Sequence, residues 1–408
     1  MGERAVKLNQ LDEFPPLKKN YSVFRFMGGN LVSFFGDQIY LIAIPLMVLS
    51  ITGSPVSMGI VAALERLPIL LQPFAGILSD QFNRKRLLLL CDLGRCILVG
   101  MIGILFIMGA LEMWMVYPVV FGIGALSQIY NTSQFASVPG LVRREDLQAV
   151  NSLNSGIFNL AVFLAPGLGG LIISFCNPGF ALLINSISFL VSFLAIASLR
   201  MKVKERIPST YSIWGEIREG FEFVAKTKPI LYTNLAMVSS VFGTTLFLTL
   251  LVFHLKDSVQ LNTVMIGWLL SMGGVGAIAG AVASSLLRKR FSYRGILFTS
   301  SVIGGLSILC FGMLDSYFAL VIMNAVGTFC ASMMSPCIIT IRQTLTPDHL
   351  LGRVQATSRL MTWVFMPLAA FLAGVLAEAI GTNLTIMLAG TISTLASIPY
   401  LHHSLKDK

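Results

Sequence analysis

Apolar runs of about twenty residues or more follow one another along almost the whole chain, parted by short polar turns. They occupy 21–51, 56–79, 87–110, 113–139, 149–175 and 178–199, then 230–255, 264–287, 294–314, 317–343, 355–379 and 383–401. Runs of this length match the hydrocarbon thickness of a bilayer. Each reads as a helix, because a strand edge or loop in lipid leaves backbone groups unpaired. The turns between them carry the expected breakers, as in Thr52-Gly53-Ser54-Pro55, Asn177-Pro178-Gly179 and Gly381-Thr382-Asn383. The longest polar stretch interrupts the series midway. Within it Trp214, Ile217, Phe221 and Val224 recur at helical spacing among Glu216, Arg218, Glu219 and Glu222, which predicts an amphipathic helix on the inner membrane face. The pattern therefore predicts an all-α membrane protein: 12 transmembrane helices in two six-helix, pseudo-symmetric halves. The expected divisions are a tail at 1–20, a bundle at 21–199, a linker at 200–228, a second bundle at 229–402 and a tail at 403–408.

The two halves echo each other. Gly76 to Arg86 reads GILSDQFNRKR and Gly280 to Arg290 reads GAVASSLLRKR, 204 residues further on in a chain of 408. Leu147-Gln148-Ala149-Val150-Asn151 and Leu351-Gly352-Arg353-Val354-Gln355 start helices at the same offset. Such parallel repeats are a usual build of secondary transporters. Composition agrees: 55% of the residues are apolar and 12% charged, against about 25% charged in soluble domains. The net charge of +10 is not spread evenly. Basic residues collect before the first run and in every second connection, at Arg84–Arg86, Arg143-Arg144, Arg200–Lys228 and Arg288–Arg294, whereas Lys256 is the basic residue of the alternate connections. This alternation places both termini in the cytoplasm, and it argues for membrane orientation rather than nucleic-acid binding. The six cysteines form no CxxC and the four histidines no metal spacing, so no metal and no cofactor is expected. No paired nucleophile and base suggests an enzyme, and no Walker loop suggests ATP as the energy source.

The stretch Gly76-Ile77-Leu78-Ser79-Asp80-Gln81-Phe82-Asn83-Arg84-Lys85-Arg86 resembles the loop between helices two and three of the major facilitator superfamily. Gln81 stands for its usual base and Asn83 for its usual glycine, a position where asparagine can take a left-handed turn. Ala165-Pro166-Gly167-Leu168-Gly169-Gly170 in the fifth crossing is similar to the superfamily's antiporter signature. Gly36-Asp37, Thr52-Gly53-Ser54, Leu64-Glu65-Arg66-Leu67-Pro68 and Gly352-Arg353-Val354 resemble the macrolide-efflux-type branch of drug exporters. The resemblance implies a plasma-membrane exporter of amphipathic small molecules, a monomer working by alternating access and proton antiport, with drug resistance as its setting. It implies a cytoplasmic gate at Gly76, Asp80, Arg84 and Arg86, to which Asp92 and Arg95 would add charge, and a bend at Pro166, Gly169 and Gly170. Ser284 stands where the second copy would have the acid of Asp80. A carrier of another cargo, such as a siderophore, peptide, lysolipid or nutrient, is the alternative.

Ionisable groups inside lipid are costly and mark function. Asp37 lies about 24 Å along its helix from Tyr21, and Glu65 and Arg66 lie about 22 Å from Asp80, so all three share a depth. Asp37 could pair with Arg66 or face a watery cavity alone. Asp37, with Glu65 and Arg66, is the candidate for proton coupling, and a static ion pair is the structural alternative. The resemblance places the cavity along helices one, four, seven and ten. Its candidates are Gln38, Tyr40, Gln128, Asn131, Gln134, Phe242, Phe247, Asn324 and Met333, whose aromatic and methionine members suit large, partly apolar ligands. Expected partners are the substrate, protons and membrane lipids. One outcome tests the repeat directly. Single cysteines at Arg86 and Arg290, in a background otherwise free of cysteine, should react with an impermeant maleimide from the same, cytoplasmic side. Labelling from opposite sides would overturn the two-half arrangement.

Overall fold

A computed structural model describes residues 15–72, 78, 82–199, 213–347 and 350–406. Among the described residues the regular structure is helical throughout. In chain order the helices are α1 Tyr21–Thr52, α2 Pro55–Arg66, α3 Arg84–Ile107, α4 Met113–Ser137, α5 Leu147–Phe175 and α6 Pro178–Ala197. There follow α7 Ile213–Lys226, α8 Lys228–Phe253, α9 Thr263–Leu287, α10 Tyr293–Phe311, α11 Tyr317–Leu345, α12 Leu351–Trp363, α13 Met366–Ile380 and α14 Thr382–Leu395.

Eleven spans among the described residues are long and apolar enough to cross a membrane, with α12 and α13 together making one of them, Leu351–Ile380. The second expected crossing differs. Its helix α2 is 12 residues long and passes into a 3-10 turn at Leu67–Leu71. Pro68 explains the change, since its ring removes a backbone donor and disfavours helical geometry at the preceding residue. Turn chemistry sets the other ends. Ser54 caps α2 by accepting from Ser57 N with Pro55 next in line, and Asn177 caps α6 by accepting from Phe180 N with Pro178 next. Gly381, at φ +87°, links α13 to α14 in a conformation that other residues rarely take. Asn83 does not take the left-handed turn expected of it. It is extended (φ −64°, ψ 112°) and its side chain accepts from Lys85 N and Arg86 N, so it works as an N-cap for α3.

Packing divides the chain into two compact units, Met1–Met47 with Pro68–Ile207, and Val48–Leu67 with Pro208–Lys408. Residues 48–67, expected within the first bundle, thus group with the second unit. The reason is a close backbone approach: a Cβ on Gly59 of α2 would stand 2.9 Å from Ala370 O and from Gly374 Cα of α13. At the end of α2, Ser54 Oγ donates to Glu378 on α13.

In the first unit α3 packs against α4 and α6. Gly103 on α3 and Gly179 on α6 meet so closely that a Cβ on Gly103 would lie 3.0 Å from Gly179 O. Lys85, the middle residue of the first basic triplet, reaches the far end of α6, where its Nζ donates to Ala197 O (2.8 Å) and Leu199 O (2.6 Å). A cation on terminal carbonyls also suits the helix dipole. In the second unit α9 lies against α11 through a glycine stripe. Added Cβ atoms at Gly273, Gly276 and Gly280 would meet Asn324, Ala325 O and Phe329 O respectively. Small residues allow such contact where lipid provides no hydrophobic drive between helices.

The amphipathic helix forms as α7 and packs on α12. Glu219 pairs with Arg353, Gly220 fits against the Arg353 backbone, and Val224 is buried with Ile230, Leu350 and Val354. Phe221 of the expected stripe is exposed instead, and the side chains of Trp214, Glu216 and Ile217 lie outside the described set. The seam between α9 and α11 yields a sharp expectation. Gly276→Leu should destabilise the folded protein by about 1–3 kcal/mol or more through overpacking. Gly156→Leu on α5, where a Cβ meets nothing within 4 Å, should leave the thermal unfolding midpoint in detergent nearly unchanged. Equal midpoints for the two variants would mean that the seam is not tight.

Candidate functional site

The polar residues of α1 fall on one stripe, Asn30, Ser33 and Asp37, and those of α6 on another, Asn185, Ser188 and Ser192. Helical periodicity puts members three, four and seven apart on one face. Glycine lets the two faces meet. A Cβ on Gly36 would collide with Ser188 and with Asn185 Oδ1, and one on Gly29 would stand 3.0 Å from Ala195 Cβ and 3.4 Å from Ser192 Cα. From the other side Gly169 of α5 admits α1, its Cβ position lying 3.4 Å from Ile39 Cα. Asp37 is therefore held between two close helix contacts, one residue after Gly36 and two before Ile39.

The charge it meets comes from α3. Arg95 and Asp92, one turn apart, are joined at 2.5 Å between Nη2 and Oδ1, with side-chain exposures of 2% and 0%. The Arg95 guanidinium lies 4.0 Å from the Tyr130 ring centroid and 4.2 Å from that of Phe189. Two aromatic faces hold the plane of the cation in place and leave its N–H edge for carboxylates. Tyr130 in turn donates to Asn30 Oδ1 (3.2 Å) and shares a hydrogen bond with Ser192 Oγ (3.2 Å). Asp37 falls within electrostatic range of both Arg95 and Asp92. One buried guanidinium thus answers to two carboxylates from different helices.

Asp37 has Arg95 as a cation within electrostatic range. The charge beside Arg66 is its neighbour Glu65, and Arg66 Nη1 donates to Ala62 O of its own helix at 3.2 Å. Eight residues, about 12 Å of helix, separate Arg84 from Asp92; Asp92 pairs with Arg95 and hydrogen-bonds Ser192, and Arg95 lies over Tyr130. Gly76 and Asp80 lie outside the described residues. Arg84 opens α3 and Arg86 is exposed.

The cavity candidates divide. Phe247 meets Phe311 edge to face at 5.0 Å, Asn324 donates to Leu269 O at 3.0 Å, and Met333 sits in an apolar cluster with Ile296, Leu297 and Tyr400. These three are engaged in packing within the second unit. Tyr40 and Gln134 are buried, Gln38, Gln128 and Phe242 are half-buried, and Asn131 is exposed. Pro166 lies inside α5, which continues as helix through it to Phe175, and Gly170 is buried. Tyr130, Phe189, Asn185, Ser188 and Ser192 were absent from the sequence-derived set. For Asn185, Ser188 and Ser192 the signal was available as a polar stripe on an otherwise apolar sixth crossing.

Comparison with known proteins places this arrangement. A family model described as transmembrane secretion effector matches residues 12–407. The chain is 28% identical over 363 residues to the multidrug efflux pump Tap of Mycolicibacterium fortuitum, covering 86% of this chain and 88% of that protein. It is 25% identical over 283 residues to the enterobactin exporter EntS of Escherichia coli O1:K1 / APEC, covering 68% and 66%. Its fold matches a bacterial homologue of the iron transporter ferroportin, solved in an inward-facing state, with a TM-score of 0.73 at 18% identity over 95% of this chain and 99% of that one. Matched over nearly its full length, this multi-pass membrane protein belongs to the transmembrane secretion effector family of the major facilitator superfamily, whose members are transporters and not enzymes.

Proposed function

We propose that the protein is a secondary exporter of amphipathic small molecules that uses proton exchange, with Asp37 as the proton-carrying group. The names of the relatives, a multidrug efflux pump and an enterobactin exporter, support export as the direction and small molecules as the cargo. The observation that carries the proton is the sharing of Arg95 by Asp37 and Asp92. Two ionised carboxylates and one guanidinium leave a net negative charge in a lipid-surrounded bundle, where unbalanced charge is expensive. A proton on one carboxylate balances the cluster. Asp92 is directly paired, so Asp37 is the member free to gain and lose the proton as water reaches it. Asn30, Ser33 and Asn185 keep hydrogen-bonding atoms that the protein does not satisfy, which suits a hydrated path along the seam between α1 and α6. Glu65, held beside Arg66, takes a secondary part. A siderophore cargo is the second reading, favoured by the similarity to the enterobactin exporter. The distribution of basic residues supports an orientation with both termini inside.

Two outcomes test this. Asp37→Asn should lower proton-driven dye export in proteoliposomes by about 100-fold or more, the scale of losing an essential proton-transfer group, while the protein stays folded by thermal unfolding. Undiminished export by that variant and by Glu65→Gln would end the proton proposal. Arg95→Gln should cost about 3–5 kcal/mol, because it strands two carboxylates, and Asp37→Asn added to it should recover part of the loss. Identical unfolding midpoints for the single and double variants would separate Asp37 from Arg95.

A further inference from the structure

The second unit contains a buried arginine whose surroundings are the reverse of those of Arg95. Arg342, three residues from the inner end of α11, is 5% exposed. Its Nη2 donates to Asn234 Oδ1 on α8 at 2.7 Å and reaches Met237 Sδ at 3.4 Å. Its Nε has no acceptor, and neither does the hydroxyl of Tyr400, a fully buried residue within electrostatic range of it. Among the described residues no carboxylate pairs with it. The other charge that acts on Arg342 is a second cation, Arg359 of α12. A short chain of bonds ties the two arginines together: Asn234 Nδ2 donates to Ser358 Oγ at 3.0 Å, and Ser358 is the residue before Arg359. Arg359 is exposed, with its guanidinium 5.4 Å from the Trp363 ring centroid. Two acids of α7 are occupied, Glu219 by Arg353, and Glu222 by Arg218 and Lys226.

Neutral partners such as an amide oxygen can orient a buried guanidinium but cannot cancel its charge. Two like charges held in range of each other with no acid between them raise the cost further. Such a pair is stable where an anion enters, because each guanidinium offers a fork of donors shaped for carboxylate or phosphate oxygens. We propose that Arg342 and Arg359 form a binding site for one anionic group, a carboxylate or a phosphate, at the cytoplasmic end of the second unit. Arg342 supplies the buried half of the site, fixed in place by Asn234, and Arg359 the exposed half through which the anion arrives. Two sources can present that group: the cargo itself, which would then be an anionic or zwitterionic amphiphile, or an anionic lipid of the inner leaflet. The cargo source rests on the exporter reading above, and the lipid source does not.

Fluorescein and rhodamine 6G make matched probes, similar in ring system and opposite in charge. Purified full-length protein should bind fluorescein by anisotropy. Arg342→Gln and Arg359→Gln should each weaken that binding by about tenfold or more, the scale of a lost charged hydrogen bond, with rhodamine 6G affinity held within about twofold. Arg342→Lys, which keeps the charge without the fork, should fall between, and it serves with Arg359→Gln if Arg342→Gln does not fold. Reconstitution separates the sources. In vesicles of phosphatidylethanolamine alone or doped with phosphatidylglycerol, a cargo site loses fluorescein export on substitution in both lipids. A lipid site shows phosphatidylglycerol raising the unfolding midpoint of the wild type but not of Arg342→Gln. The proposal is overturned if the wild type neither binds fluorescein nor responds to phosphatidylglycerol, or if the substitutions change neither response. Failure of the wild type to export either dye would strike at the exporter reading alone, since binding still decides the site.

Discussion

A guanidinium surrounded by lipid-embedded helices needs its counter-charge within reach, and the first unit is arranged to deliver it. Arg95 pairs with Asp92 on its own helix and lies within electrostatic range of Asp37, while Tyr130 and Phe189 close over its faces. That requirement fixes much else. It brings α1 against α6, which demands glycine at Gly29 and Gly36, and it draws hydroxyl and amide groups of both helices into the same seam. Remove the cation and the carboxylates have no reason to lie there. Remove the glycines and the carboxylates cannot arrive.

The second unit meets the same low-dielectric surroundings with different means. Its contact between α9 and α11 rests on missing side chains, with Gly273 against the Asn324 amide and Gly276 and Gly280 opposite the carbonyls of Ala325 and Phe329. Its buried arginine is oriented by Asn234 rather than neutralised by an acid. The buried arginines of the two units thus differ in kind: Arg95 is ion-paired with Asp92, and Arg342 is bonded to the amide of Asn234.

Much of this was legible in the sequence, because hydropathy and the spacing of basic residues report on single segments and their ends. The helices appear close to where the apolar runs put them, and the superfamily follows from Gly76–Arg86 and Ala165–Gly170. Pairing was less legible. Asp37 and Arg66 shared a depth, but depth along a helix does not say which neighbour a face meets. Glycines settle the close pairings within each unit: Gly36 sets α1 against α6, and Gly59 sets α2 against α13. Asn83 misled for a related reason. A motif position that takes glycine in relatives here holds a residue with a hydrogen-bonding side chain, and the chain used that side chain to cap a helix rather than bend left-handed. Arg342 did not stand out in the sequence, because a sequence records a charge and not the neutral amide that holds it.

Lys85 illustrates a wider point about positively charged loops. During synthesis such a residue helps decide which way its segment enters the bilayer. After folding, the same ammonium is gripped by two carbonyls at the close of α6, over a hundred residues downstream. One side chain thus acts first as an address label and later as a weld. The order matters, because α6 does not exist when the label is read. A chain built this way can settle its orientation early, and then spend the same charge again to fasten the bundle once its last helix has emerged.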